Sequence, residues 1–377
     1  MARALGRKAD TPPPAPAPAP PRFDFFPGAP DLAAFPRARW LRAMREVLGQ
    51  APPAIFAYPD VRGAPQLRSA LAAYLRRARG VLASADSVMV CSGATQALAL
   101  VARALAQLGH HQIAVEDPCL PAHRELFAAA GLRVIGVAVD EQGVQVEQLA
   151  APVLLCAPAH QLPTGAVLSA QRRVALLDWA RHGGIIIEDD YDSELRYDGR
   201  PFAALQGLAP ERVIYVGSAS KTLAPALRIG WVVLPEQLRA SLVAAKLLDD
   251  LGSAVLPQLA LARLIDSADY DRHLRVLRRR YRLRRAALAD AVARHLPSCS
   301  LAGAAAGLHV LLRLPGAYDA RALWQSCAQA DVGVYPLSMH LIEQPAWTDA
   351  LALGYGNLAE REIELGIRAL ARALAEI

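Results

Sequence analysis

The chain is short of the features that mark secreted, membrane-spanning or cysteine-knit proteins. Five cysteines occur in 377 residues, at Cys91, Cys119, Cys156, Cys299 and Cys327, with no Cys-x-x-Cys spacing. Thiols scattered in this way argue against a disulfide framework or a cysteine-ligated zinc site, and for a reducing compartment. Apolar runs are broken by Arg, Asp or Pro well before the roughly 20 residues that a membrane span requires. Met1 to Pro21 has no apolar core ahead of a cleavage-like site, so no secretory signal is expected. The expected location is cytoplasmic. No fixed-period repeat is visible. Excess charge of one sign is also slight: 41 Lys and Arg against 35 Asp and Glu give a net +6. Most of that excess lies in one run from Arg272 to Arg285, where Leu274, Leu277, Tyr281, Leu283 and Leu288 fall near helical spacing. A helix with a basic face results. It suits nucleic-acid contact or, more ordinarily, a solvated and salt-bridged surface.

What is present is a large apolar fraction, 54%, with 20% charged residues, the composition of a globular chain with a sizeable core and two or three domains. Residues 1–22 read as a linker, because the tract from Asp10 to Arg22 is nearly all Pro and Ala and favours an extended polyproline conformation. Residues 23–60 form an N-terminal segment with a helix around Trp40. From about residue 61 to 250, apolar runs alternate with amphipathic stretches, the signature of a layered α/β sheet. Strands are expected at 87–91, 112–115, 133–139, 153–157, 184–188, 212–216 and 229–234, and helices at 95–108, 122–130 and 169–182. Residues 251–377 give long helices and then a short α+β stretch, expected to be a second, smaller domain sharing its core with the N-terminal segment.

In open α/β sheets, ligands bind beyond the carboxyl ends of the strands, and polar residues gather at three such ends here. Ser92-Gly93-Ala94-Thr95 opens a helix, where bare backbone N–H groups suit a phosphate, although many ordinary turns share this composition. Glu188-Asp189-Asp190-Tyr191-Asp192 follows another strand. Its carboxylates suit metal ligands, an acid–base pair or a solvated loop, but no His or Cys stands at ligand spacing nearby. Asp189, emerging straight from the apolar run, is the one expected to face a cleft. The third end, Ser218-Ala219-Ser220-Lys221, places a lysine behind two hydroxyls, with Arg228 seven residues on. A lysine beside phosphate-binding groups is what pyridoxal phosphate chemistry needs: the amine condenses with the aldehyde, and hydroxyls and guanidinium hold the phosphate. An acidic partner for the pyridine nitrogen, here Asp189, keeps the ring electron-accepting, and a phenol such as Tyr191 can hydrogen-bond the ring's 3-oxygen.

The chain resembles fold-type I pyridoxal-phosphate-dependent aminotransferases, and most of all the aminotransferase-like domain of GntR/MocR-type transcription regulators. The resemblance rests on Phe26–Asp31, Tyr58–Gly63, Glu116-Asp117-Pro118, Pro158–Gly165, Ile187–Glu194, the lysine segment and Leu353–Gly356, in the family's order across about residues 23 to 360. It implies a seven-stranded, mostly parallel sheet between helices plus a smaller α+β domain. It implies Lys221 as the Schiff-base lysine, Asp189 at the pyridine nitrogen and Tyr191 at the 3-oxygen. Gly93, Ala94, Thr95, Ser218, Ser220 and Arg228 would hold the phosphate of pyridoxal 5'-phosphate, and Tyr58 would reach the phosphate of a second subunit, which makes the protein a homodimer.

Three positions depart from the family. Leu120 stands where related proteins often stack a tyrosine. Leu162 replaces an asparagine, with His160 or Gln161 as the nearest polar substitutes. Ala352 replaces the arginine that clamps a substrate α-carboxylate, an anchor worth about 1.5–3 kcal/mol. Two functions follow from the resemblance: an aminotransferase acting on an amino acid or amine, or an effector-sensing module with little turnover. In that family a Pro-rich spacer follows a winged helix-turn-helix. Nine residues before the tract are too few for one, so DNA is a partner only if such a domain exists upstream. The remaining alternative is an α/β protein for another phosphorylated ligand.

Overall fold

The computed structural model describes residues 21–197, 202–303, 306–316, 318–343 and 349–376. The expected linker, except Pro21 and Arg22, lies outside them. The described chain starts with a two-residue strand, β1 (Phe23–Asp24), followed by helices α1 (Arg37–Gln50) and α2 (Pro65–Arg79). Gly80, left-handed at φ 69°, ends α2.

One large sheet follows. Its strands are β2 (Val88–Cys91), β3 (Gln112–Asp117), β4 (Arg133–Asp140), β5 (Gly143–Val144), β6 (Val153–Cys156), β7 (Ile185–Asp190), β8 (Val213–Ser218) and β9 (Gly230–Val233), in the order β2-β9-β8-β7-β6-β3-β4-β5. The five strands from β8 to β4 in that order are parallel, while β9 runs antiparallel to both its neighbours. All seven expected strands are present, and β5 is an added two-residue return on β4. The carboxyl ends of β7 and β8 run two residues further than the apolar runs suggested. Asp189 pairs with Val216 and Asp190 with Gly217, so the ladder carries polar residues into the site.

Both faces of the sheet are covered, which is why its strands are near-continuous apolar runs rather than alternating ones. Ile187 and Val216 pack under helices α3 (Ala94–Gln107), α4 (Pro121–Ala129) and α6 (Glu236–Asp250). Ile186 and Val213 point the other way, onto Leu176, Leu177 and Ala180 of α5 (Ala170–Arg181).

Beyond the sheet come α7 (Val255–Asp266) and the 27-residue α8 (Asp269–His295). The expected apolar stripe of α8 is buried through Leu274, Leu277, Tyr281 and Leu288, but its arginines divide. Arg272, Arg275, Arg279 and Arg282 are exposed, whereas Arg284 is buried against Asp31 at 2.8 Å and against the Gly356 carbonyl. Arg278 donates to the Glu194 carbonyl at 2.6 Å. Part of the basic run is thus internal cross-bracing. The last stretch comprises β10 (Ser300–Ala302), β11 (His309–Arg313), α9 (Ala320–Gln329), β12 (Val332–Gly333), β13 (Tyr335–Pro336), β14 (Ala350–Gly354) and α10 (Glu360–Ala375). β10, β11, β14 and β13 make a smaller antiparallel sheet, and β12 pairs with β1. Phe23 and Phe25 lie in one apolar cluster with Leu353, Ile363 and Ile367, so the N-terminal segment is stitched to the C-terminal stretch. Among the described residues, no helix is long and apolar enough to cross a membrane, and the five cysteines are free.

Candidate active site

The carboxyl ends of β3, β7 and β8 and the start of α3 open on a cavity of about 200 Å³. Of the ten residues expected in the site, eight line it: Ala94 and Thr95 at the start of α3, Asp189 and Tyr191 after β7, and Ser218, Ser220, Lys221 and Arg228 after β8. Gly93 sits directly behind, and Tyr58 is elsewhere, 87% exposed on the surface. A larger groove of about 560 Å³ between α1 and α7 contains none of these groups.

Lys221 is held in a tight turn, with Ala219 bonded to Ile229 and Leu223 to Ala219 through their backbones. Its Nζ donates to the Gly28 carbonyl at 2.7 Å. Gly28 is left-handed at φ 84°, and a Cβ there would lie 3.3 Å from Nζ, so glycine lets the backbone approach the amine. Burial lowers the lysine's pKa, while the Asp192 and Asp189 carboxylates pull it back up. The balance favours the neutral amine more than in water, which is the nucleophilic form.

Asp189 faces the cavity from the end of β7. Its Oδ1 is sealed from solvent and has no hydrogen-bond partner. Burial, with the neighbouring Asp190 and Asp192 charges, pushes its carboxyl up to about 7, against a smaller pull from Lys221. A lone buried acceptor of this kind is costly unless a donor meets it. Burial also drives the Tyr191 phenol well above its usual pKa, with Asp192 and Asp189 adding to the effect, so Tyr191 remains a donor.

At the other end of the cavity, α3 begins at Gly93 with no side-chain cap, leaving first-turn N–H groups and the positive dipole end free for an anion. Arg228, left-handed at φ 51°, donates to the Ser92 carbonyl at 2.6 Å. A Cβ at Gly93 would come within 2.7 Å of the Arg228 guanidinium, so only glycine allows the two to close on one point. These groups fit pyridoxal phosphate: an amine for its aldehyde, an unpaired carboxylate for its protonated ring nitrogen, and a cationic, N–H-rich end for its phosphate.

Leu120 and Leu162 line the cavity as apolar walls. Neither polar neighbour stands in for the missing asparagine. The Gln161 amide is consumed, donating to the Leu162 carbonyl in its own loop and to the Pro118 carbonyl after β3, and accepting from Thr164. His160 turns behind Tyr191, onto Asp192. Ala352 is buried in an apolar cluster with Leu311, Leu337 and Ala350. Sequence reasoning did not single out Glu116 or His123, which also line the cavity. Burial raises Glu116 to about 8 and lowers His123 to about 4, so both are held uncharged near neutral pH. Glu116 and Gly28 stood in recognised motifs without an assigned role, whereas nothing local to His123 signalled one.

An eight-stranded sheet with five parallel strands, opening on such a cavity at their carboxyl ends, is the architecture of coenzyme-dependent transferases. The chain belongs to the aminotransferase class I and II family, whose model matches residues 28–348. It is 34% identical over 363 residues to the uncharacterized HTH-type transcriptional regulator YhdI of Bacillus subtilis, covering 95% of this chain and 77% of that one. It is 33% identical over 368 residues to the probable rhizopine catabolism regulatory protein MocR of Rhizobium meliloti, covering 96% and 74%. Among solved structures, Pyrococcus horikoshii kynurenine aminotransferase in complex with PMP superposes with a TM-score of 0.86 at 26% identity, covering 94% of this chain and 91% of that one. The fold-type I assignment and the likeness to MocR-type regulators both stand.

Proposed function

We propose that the protein binds pyridoxal 5'-phosphate in this cavity and transaminates a small amine or amino acid. The unpartnered buried oxygen of Asp189, in the same cavity as the Lys221 amine, carries this reading. Bound there, the coenzyme supplies an aldehyde that captures amines and a ring that accepts electrons. Lys221 is the amine that would hold the aldehyde. Once an incoming amine displaces it, Nζ is the base that takes the proton from the carbon bearing that amine. Asp189 would hold the ring nitrogen protonated, Tyr191 would donate to the ring oxygen, and Ser218, Ser220, Arg228 and the start of α3 would hold the phosphate. Phe56 and Tyr58 are exposed on one loop, and Leu248 and Leu251 are exposed at the end of α6, where Gly252 packs close to Pro59. A homodimer, in which Tyr58 reaches the partner's phosphate site, accounts for that exposure. The proposed location is cytoplasmic.

A second reading, an effector-sensing module with little turnover, is favoured by the regulator relatives and by the apolar surroundings of position 352. One experiment separates the two. The purified protein is mixed with pyridoxal phosphate, reduced with borohydride and digested, and a panel of amines is followed for conversion to the pyridoxamine form. The expected result is a label on Lys221, none in Lys221→Ala, and conversion with at least one amine. No label on residue 221 with excess coenzyme would sink both readings, and a label without any conversion would sink the first.

A further inference from the structure

Behind Tyr191 lies a buried cluster that neither reading uses. His160 Nδ1 is 2.8 Å from Asp192 Oδ2 and 3.1 Å from the Tyr191 hydroxyl. The imidazole and the carboxylate are each 1% exposed. An ionised carboxylate can only accept, so Nδ1 carries the imidazole proton. The one Nδ1 hydrogen is shared between Asp192 at 2.8 Å and the Tyr191 oxygen at 3.1 Å, which leaves the phenol's own hydrogen for an acceptor in the cavity or for Asp192, the competing acceptor beside it.

The pair is held from the other side by the C-terminal stretch. A Cβ on Gly307 would lie 2.2 Å from Asp192 Oδ2 and 2.4 Å from His160 Nδ1, so the backbone before β11 presses on both groups. Gly307 is itself held, since the Tyr355 hydroxyl donates to its carbonyl at 3.0 Å. The His309 ring, at the start of β11, lies 4.5 Å from the His160 ring at an angle of 39°. His160, Asp192 and His309 also bring three donor atoms within 4.8 Å of one another, as a metal site would. His160 Nδ1 is already engaged by Asp192 and Tyr191, however, and the two imidazoles meet at a tilt, so hydrogen bonding and packing account for the cluster without an ion.

We propose that His160 and Asp192 form a positioning pair that aims the Tyr191 hydroxyl into the coenzyme cavity, and that Gly307 sets where the pair sits. This rests on the reading of the cavity as a pyridoxal phosphate site. The charged and titratable groups facing the phenol are Asp189, Asp192, Glu116 and His160, with Lys221 across the cavity and His309 behind His160.

Two measurements test it. In coenzyme-free protein, ¹⁵N NMR should show the Nδ1–H tautomer of His160, lost or mixed in Asp192→Asn; an Nε2–H tautomer in the wild type overturns the proposal whether or not coenzyme binds. In the loaded protein, a donor aimed at the ring oxygen stabilises the ionised form and lowers the pH midpoint of the coenzyme's absorbance change. His160→Leu and Tyr191→Phe should each raise that midpoint by about one unit, and the double variant by no more than either. His160→Asn, which keeps a donor near Nδ1, should recover at least half, and Gly307→Ala should shift the midpoint the same way without touching the cavity. An unchanged midpoint in His160→Leu, or additive shifts, overturns the inference while leaving coenzyme binding intact. Zinc that raises the melting temperature of the wild type but not of His309→Ala would also overturn it, in favour of a metal site. Wild-type protein that stays colourless with coenzyme rejects the underlying reading instead, and the tautomer then decides the pair's geometry alone.

Discussion

At the ends of β7 and β8, Lys221, Asp189, Tyr191 and Ser218 crowd into one cavity, three of them with polar neighbours and one with an oxygen left bare. On the smaller sheet, β14 carries Ala352 in a wholly apolar cluster with Leu311 and Leu337. The first region holds the kinds of group that a phosphorylated pyridine aldehyde calls for, while the second presents an apolar side chain at position 352. On the proposed reading, holding a coenzyme and gripping an amino acid are separable demands on different parts of the chain.

The largest blow to the first region short of removing Lys221 should come from Asp189→Asn. It deletes a charged partner of the ring nitrogen, and coenzyme binding should weaken by about 10- to 100-fold in absorbance titrations. The same variant has a stability signature. Without coenzyme, the Asp189 carboxyl stays protonated to about pH 7 in the folded protein but ionises in the ordinary carboxylate range when unfolded. Folded protein thus holds more protons between those values, and its stability falls as pH rises through that window. Coenzyme-free Asp189→Asn should melt several degrees above wild type at about pH 8 and alongside it at about pH 4. A parallel pair of melting curves would show that this carboxyl is not raised.

Arg228→Ala should be milder. Its guanidinium is exposed and shares the phosphate with helix N–H groups, so a loss of about tenfold in coenzyme affinity is expected. Addition of inorganic phosphate should compete with coenzyme less well in the variant than in the wild type.

The smallest effect probes the second region. Without a charged anchor near residue 352, an α-amino acid and its decarboxylated amine should differ in kcat/KM by no more than about threefold, where an arginine clamp gives roughly 10- to 100-fold. A strong preference for the amino acid would show that another cation does the gripping.

Much of this site was legible in the chain itself. Lys221 and Asp189 each follow an apolar run that could only be a buried strand, and strand ends in such sheets converge. The hydroxyls and the Gly93 turn were readable for the same reason. What escaped was whatever depends on partners distant in sequence. Asp31 and Arg284 meet across 253 residues, so a run of arginines that looked like an exposed face proved to be partly structural. Gln161 looked available as a polar substitute, but its amide is spent on carbonyls that only the folded chain presents. Gly28 gave no hint that its carbonyl would meet a lysine.

That last contact has a mechanical consequence. The segment from Phe23 to Asp31 is pinned at one end by pairing with β12 and at the other by Asp31 on Arg284, and between them its backbone touches the Lys221 amine. It is therefore a lever in series with the reactive nitrogen. Tension on β1 would be felt at Nζ directly, and occupation of the cavity, by drawing the amine away from Gly28, would slacken the same lever in return.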